Sequence, residues 1–220
     1  MKAKFKMVKY LLAIVILSGN YIYAQHLNQG VKLTHYVFDE FTPGTVKMKS
    51  GETYSQVLNY NILTNEMIFN NDGKYLAIAN PENVDTVSIN DKKFIPFNNK
   101  FYEVLVNSNM PLLLEFTATV NEPGASTGYG GTSTTTASTS FKTLVSSGGA
   151  YDLKLPDGFT VFPGYAYWIK KDGKLEKAGS AKQLIKIFSA KKEMINDLVK
   201  KNNTNFSKRG DVAALVKQIE

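Results

Sequence analysis

Side chains that could hold a metal ion or act as a general base are scarce in this chain. The sequence contains two histidines, and only His35 has carboxylates close by, at Asp39 and Glu40. Imidazole and carboxylate ligands can share a zinc or manganese ion. The other histidine, His26, lies beside the new N-terminus proposed below, and no HExxH spacing is present. We therefore expect no metal centre and no cofactor.

Three further patterns that can carry chemistry are incomplete. The turn at 70–73 has the composition of a calcium loop, but a register with Gly73 sixth puts Ile68 first and Ala79 twelfth, where oxygen ligands are required. The glycines between 124 and 131 are not followed by the Gly-Lys-Ser/Thr of a phosphate loop. A chain without cysteine and with only two histidines also lacks the nucleophile–base pair of a nucleophilic hydrolase.

A pair of carboxylates is the remaining catalytic possibility. Asp85, Glu103 and Glu115 all lie in predicted strands, and two acids that converge on one cleft can hydrolyse a glycosidic bond. On a half-buried sheet, outward-facing acids are more often simply solvated. A carboxylate-dependent polysaccharide hydrolase is therefore an alternative, while the missing motifs favour a non-catalytic protein.

An aromatic cluster and a lysine-rich helical face are the candidate binding surfaces. Aromatic rings can stack on sugars or anchor a protein interface, and lysines can contact an anionic surface or an acidic partner. Core packing and an ordinary solvated face explain the same residues, so both interpretations stay open. The candidate ligand- or partner-binding residues are Phe159, Tyr165, Tyr167, Trp168, Lys191, Lys192, Lys200 and Lys201.

The first 24 residues have the pattern of a bacterial signal peptide. Four lysines and no acid accompany the apolar run at 10–17, and Ala24 precedes Gln25 as the small residue of a cleavage site. The apolar run is about half of the roughly 20 residues that span a bilayer. We predict cleavage after Ala24, no transmembrane segment after processing, and an exported protein that is periplasmic, associated with the outer membrane or extracellular.

Composition limits the partners of the mature chain. The formal charge of +7 falls to +3 without the four signal lysines, because the signal contains no acid. Only Arg209 among the 26 basic residues is an arginine, the side chain that most often reads base edges, so we expect no specific nucleic-acid binding. The absence of cysteine from an exported chain means that a hydrophobic core, and not disulfides, must stabilise it.

Hydrophobic periodicity predicts a mainly β protein. Between 44 and 120, short apolar runs of period two are broken every eight to twelve residues by turn residues, as is typical of an antiparallel meander. Leu112, Leu114 and Phe116 are predicted to share one buried face of a core strand. Pro96 indicates an edge strand or a bulge.

The remaining segments complete a predicted domain organisation. Residues 121–150 are rich in glycine, serine and threonine, which favours a flexible loop. The last forty residues have helical periodicity in three segments, with lysines opposite the apolar positions. We predict a signal peptide at 1–24, an antiparallel β domain at 25–178 and a helical subdomain at 179–220. The predicted fold class is mainly β, a sandwich- or barrel-like antiparallel meander with a basic three-helix C-terminal segment, α+β overall.

Several short sequence words stand out in the mature chain. They are Ala24-Gln25, Leu58-Asn59-Tyr60-Asn61, Asn65-Glu66-Met67-Ile68-Phe69, Phe101-Tyr102-Glu103-Val104-Leu105 and Tyr167-Trp168-Ile169-Lys170 before the lysine-rich helices. Together they resemble a family of uncharacterised secreted proteins of Bacteroidota-type bacteria. The resemblance covers most of the mature chain and implies export and a similar build. It brings no catalytic residue.

These features favour an exported, non-catalytic, β-rich protein of the cell envelope that binds a protein or a glycan. Two alternatives remain: the polysaccharide hydrolase and a structural or assembly subunit without a small ligand. The oligomeric state and the identity of the partner are not predicted.

Overall fold

The computed structural model describes residues 32–123, 125–126, 132–133 and 145–220. The predicted signal peptide at 1–24 and most of the predicted flexible loop at 121–150 lie outside the described residues. The compact unit discussed below spans Leu33 to Glu220.

The chain is mainly antiparallel sheet with three helices near its C-terminus, which confirms the predicted fold class. The strands are β1 (Thr42–Met48), β2 (Thr53–Asn61), β3 (Glu66–Asn71), β4 (Lys74–Ala77), β5 (Val84–Ile89), β6 (Lys92–Phe97), β7 (Lys100–Val106), β8 (Leu112–Asn121), β9 (Ala125–Ser126), β10 (Thr132–Ser133), β11 (Ser146–Ser147), β12 (Ala150–Tyr151), β13 (Thr160–Lys171) and β14 (Lys174–Lys177). The α-helices are α1 (Ala181–Ile187), α2 (Lys192–Lys201) and α3 (Arg209–Ile219), and short 3-10 turns span Pro81–Asn83 and Ser189–Lys191. None of the helices within the described ranges has the length and apolarity needed to cross a membrane.

Ten strands form one sheet, in the order β4-β3-β2-β1-β5-β6-β7-β8-β13-β14. Two meanders, β1 to β4 and β5 to β8, are joined by the antiparallel pairing of β1 with β5. The hairpin turns place Asp72, Asn90 and Asp172 at φ values near 50°. Asn and Asp tolerate this left-handed conformation, so the turn residues explain the meander locally. β9 with β10, and β11 with β12, form two separate two-stranded pairs.

The sheet curls around an aromatic core on the face that we call the inner face, which carries Tyr60, Phe94 and Phe116. These rings pack with centroid distances of 5.3–6.4 Å. The Tyr60 hydroxyl on β2 donates to the Phe101 carbonyl on β7 at 2.8 Å. Three strands separate β2 from β7 in the sheet order, so this bond requires strong curvature of the kind found in barrels.

The C-terminal helices share this hydrophobic core. Leu184 of α1, Ile195 of α2 and Val212, Val216 and Ile219 of α3 are fully buried in the cluster that includes the strand residues. Ser180 caps the start of α1, because its hydroxyl accepts a hydrogen bond from the Gln183 backbone amide at 3.3 Å. The Gln183 side chain accepts from the Gly179 N–H at 2.8 Å. The apolar stripes seen in the sequence are therefore explained by packing.

Two strand expectations were incomplete or wrong. In β8, Leu113 and Glu115 are buried as well as Leu112 and Leu114, so both faces of its first half are covered. β6 lies between β5 and β7 and is not an edge strand. Its pairing with β5 ends at Phe94, two residues before Pro96, so the missing proline N–H removes no hydrogen bond to β5.

Replacing Gly44 with alanine is expected to destabilise the junction of the two meanders. A Cβ at Gly44 would lie 2.6 Å from the Ser88 carbonyl oxygen on β5, and a backbone atom cannot easily move away. We expect a loss of about 1–3 kcal/mol in the free energy of unfolding, measured by urea denaturation. The matched control is Gly210→Ala in α3, where nothing lies within 4 Å of the added Cβ. That change should raise the free energy of unfolding by about 0.5–1 kcal/mol. A Gly44→Ala variant as stable as wild type would contradict the packing described here.

Candidate ligand-binding site

Strand alternation divides the predicted aromatic cluster between the two faces of the sheet. Tyr165 and Tyr167 lie opposite Phe116 and Leu114 of β8, on the inner face. Tyr167 is buried in the core, whereas Tyr165 is 46% exposed. Trp168 lies opposite Leu113 and points to the other side, which we call the outer face. Successive side chains of a strand alternate, so the cluster in sequence is not a cluster in space.

Trp168 lines a groove on the outer face of the sheet. Its cavity has a volume of about 450 Å³, within the range of small-molecule and cofactor sites. Aromatic and aliphatic side chains from four strands or their turns meet there with one carboxylate and two lysines. The lining residues are Phe97, Asn98, Lys100, Tyr102, Glu115, Trp168, Gly173, Lys174 and Leu175.

Glu115 fixes the indole of Trp168 in this groove. Trp168 Nε1 donates to Glu115 Oε2 at 2.9 Å, and Lys100 Nζ lies 2.8 Å from Glu115 Oε1. Both carboxylate oxygens are therefore occupied, and the Glu115 side chain is only 12% exposed. Burial, together with the Glu115 carboxylate, raises the pKa of Tyr102 to about 12, so this tyrosine is neutral at physiological pH. Glu115 acts as a positioning residue for Trp168.

Lysine ammonium groups lie over the aromatic rings of the groove. Lys170 Nζ is 5.5 Å from the centroid of Phe97, and Lys177 Nζ is 5.9 Å from the Trp168 ring, both within cation–π range. A neighbouring cavity of about 350 Å³, between β14 and α1, shares Trp168 and Leu175 with the groove. Trp168 therefore borders both cavities, and Lys186 of α1 lines the second one.

The structure places the other candidate residues away from this groove. Lys191 at the start of α2 donates to the backbone carbonyls of Ile219 and Glu220, so it holds the C-terminal end of α3. Lys192, Lys200 and Lys201 are exposed on α2. Phe159 is half-buried in the loop before β13 and does not line the groove.

A second charged cluster lies on the inner face. Glu103 is 6% exposed and accepts from Lys92 Nζ at 2.7 Å and from Arg209 Nη1 at 3.2 Å. The Arg209 guanidinium also lies 5.6 Å from the ring centroid of Tyr165. This triad ties the start of α3 to β6 and β7. Because Glu103 is paired with Leu114 across the β7–β8 ladder, Glu103 and Glu115 point to opposite faces of the sheet.

The histidine that was considered as a metal ligand is a core residue. His35 is fully buried, and its two ring nitrogens have no hydrogen-bond partner among the described residues. Asp39 and Glu40 are exposed. Within the described ranges, no three histidine, aspartate or glutamate side chains are grouped so that they could hold one metal ion. Burial lowers the pKa of His35 from 6.5 to about 4, against a smaller opposing effect of the Asp152 backbone.

Sequence reasoning named Trp168 and Glu115 separately but missed that they form one unit. It also missed Phe97, Tyr102 and the lysines of β13 and β14. The spacing of Lys100 and Tyr102 on β7 indicates that they share a face of the sheet. The sequence does not show that Trp168 lies on that same face, because this depends on the strand order β7–β8–β13. The charged triad was missed because Arg209 is 106 residues from Glu103 in the chain.

Comparisons with known proteins give no match to a family model, to a curated protein or to a solved structure.

Proposed function

We propose that this protein is an exported, non-catalytic binding protein of the cell envelope, whose outer-face groove around Trp168 takes a glycan. The observation that carries the proposal is the half-buried indole, held by Glu115 at 2.9 Å in a groove of about 450 Å³. An aromatic ring whose orientation is set before the ligand arrives loses little conformational freedom on binding. Such a ring offers an apolar face to the C–H surface of a sugar.

The surroundings of the acids support binding over hydrolysis. A glycosidase needs two carboxylates a few ångströms apart on either side of one bond. Glu103 and Glu115 lie on opposite faces, and each is held by two donors. Asp85 is exposed and lies 3.6 Å from Lys47. None of these positions suits a general acid paired with a nucleophile, so the hydrolase alternative loses its best candidates.

The export part of the proposal rests on the N-terminal pattern of the sequence and on the resemblance to secreted proteins. Mass spectrometry of the protein from its native envelope should find a chain that begins at Gln25. A chain that retains residues 1–24 would contradict cleavage.

A protein partner is a second candidate, favoured by the exposed face of α2. Lys192, Lys200 and Lys201 are exposed there, and so is Met194 at 43%. Glu193 and Asp197 are exposed on the same helix, so the three lysines exceed the acids by one and would attract an acidic partner only weakly. Chemical crosslinking in envelope fractions, with wild type and a Lys200→Glu variant, would distinguish this candidate from a glycan ligand. The structural or assembly role would instead appear as a stable oligomer at low concentration in sedimentation.

Replacing Trp168 with alanine is expected to lower the affinity for a bound glycan at least roughly tenfold. Removal of a central aromatic anchor commonly costs 2 kcal/mol or more, and about 1.4 kcal/mol corresponds to a tenfold change. The measurement is a glycan array with wild-type protein, followed by titration calorimetry of the strongest ligand with each variant.

The control for this experiment is Tyr54→Ala. Tyr54 is also a large exposed aromatic residue, at 48%, but it lines a different pocket with Val46 and Phe69. Its replacement should leave the affinity unchanged. Equal binding by wild type and Trp168→Ala, or no binding of any glycan by wild type, would overturn the proposed function.

A further inference from the structure

Cations dominate the charged groups around the Trp168 groove. Lys100 is neutralised by Glu115 at 2.8 Å. Lys170, Lys174 and Lys177 form no ion pair with a carboxylate in the part of the chain that the structure describes. The groove therefore has an excess of positive charge beside its aromatic rings.

The nearby acids do not remove this excess. Glu176 of β14 and Lys186 of α1 both line the neighbouring cavity, where they contribute opposite charges. Asp172, in the exposed turn between β13 and β14, is a third acid beside Glu115 and Glu176. The five lysines at 100, 170, 174, 177 and 186 therefore outnumber the three acids, which leaves a formal charge of +2 around Trp168 and Phe97.

We propose that the groove selects an anionic glycan, a polysaccharide with acid groups on its sugar rings, over a neutral one. The inference rests on the proposed function and adds the class of ligand. Trp168 and Phe97 supply ring faces, while the Lys170 and Lys177 ammonium groups lie within 6 Å of those rings. A sugar that stacks on either ring lies beside one of these ammonium groups, which can pair with an acid group on the sugar.

Lysine chemistry fits this ligand class. An ammonium group is a compact, hydrated point charge on a flexible stem, and it neutralises an acid group without requiring one fixed geometry. A polymer with repeating acid groups can satisfy several such lysines at once. Positive clefts also raise the local concentration of an anionic polymer and its association rate, and both effects weaken with salt.

The test uses two pairs of polymers, and the members of each pair share one sugar backbone but differ in whether it carries acid groups. Polygalacturonate is compared with its fully methyl-esterified form, and dextran sulfate with dextran. We expect the wild-type protein to bind at least one acidic member tenfold or more tightly than its neutral counterpart in 50 mM NaCl. This preference should largely disappear in 500 mM NaCl.

The double variant Lys174→Gln/Lys177→Gln should lose about tenfold in affinity for the acidic polymer, and its preference for the acidic over the neutral member of the pair should fall accordingly. The matched control is Lys192→Gln/Lys200→Gln, which removes the same charge from α2, away from the groove. If the control loses as much affinity, the effect is one of net charge and the inference fails. Equal binding of the acidic and neutral members, or no binding of either acidic polymer, also overturns it. Binding of a neutral glycan through Trp168 would leave the proposed function intact.

Discussion

Replacing Glu103 with glutamine is expected to lower the free energy of unfolding by about 3 kcal/mol. Glu103 is 6% exposed and balances both Lys92, whose side chain is 17% exposed, and Arg209. Removal of one member of a buried ion cluster leaves the other charges without compensation, which typically costs 3–5 kcal/mol. Arg209 is 38% exposed, so water offsets part of the loss. Guanidinium denaturation should show the transition at a lower denaturant concentration.

Two variants distinguish a buried cluster from ordinary surface charge. Asp85→Asn removes the acid of the exposed Lys47–Asp85 pair, at 3.6 Å, and should change stability very little. The triple variant Lys92→Met/Glu103→Leu/Arg209→Met removes the charges together and should recover most of the loss, since well-packed apolar groups can replace a buried ion cluster. A Glu103→Gln variant as stable as wild type would show that the triad contributes nothing.

Acidification from pH 7 to pH 4 is expected to remove about 3 kcal/mol of stability through His35 alone. Its folded pKa is about 4 because of burial, and its ordinary value is 6.5. Between these values the unfolded chain binds more protons than the folded one, so the free energy of unfolding falls as the pH falls. The contribution is complete above pH 6.5 and is lost by pH 4, at about 1.4 kcal/mol for each unit of difference.

The tyrosines around His35 do not titrate in this window. The Tyr36 ring centroid is 4.5 Å from the imidazole, and burial raises the pKa of both Tyr36 and Tyr151. Tyr151 donates to Glu66, and the Tyr36 hydroxyl is 3.5 Å from the backbone carbonyl of Asp152. The tyrosines therefore stay neutral throughout.

The His35→Leu variant isolates the effect of the imidazole. It should be about as stable as wild type at pH 7, because neither ring nitrogen makes a hydrogen bond of good geometry among the described residues and only a weak interaction with the Asp152 backbone is lost. Its stability should decline less between pH 7 and pH 4, by about 3 kcal/mol, in urea titrations at each pH. Parallel pH profiles for the two proteins would show that His35 is accessible to protons in the folded state.

Local patterns predicted the elements well, because each depends on neighbours in the chain. Period-two apolar runs separated by turn residues predicted the strands of both meanders, and helical periodicity predicted the three C-terminal helices. The stripe of α3 is buried as its spacing indicates, with Val212, Leu215 and Val216 at 0–1% exposure.

The aromatic and lysine candidates were predicted less well, because binding surfaces depend on residues far apart in the chain. Tyr167 is part of the core and Lys191 binds the carbonyls at the end of α3. Of the four aromatic candidates, Trp168 alone lines the groove. Sequence proximity favoured a cluster that the alternation of β13 separates.

The sequence by itself determined the fold class, the turn positions, the apolar faces of the helices and the shortage of catalytic side chains. These follow from residue type, from spacings of two and about 3.6 residues, and from local backbone preferences. Only the tertiary structure decided that Glu115 holds Trp168 and that Arg209 joins Lys92 at Glu103. It also decided that Glu103 and Glu115 lie on opposite faces of the sheet. The physical reason is that strand order and curvature depend on the summed packing of the whole core, which no local pattern contains.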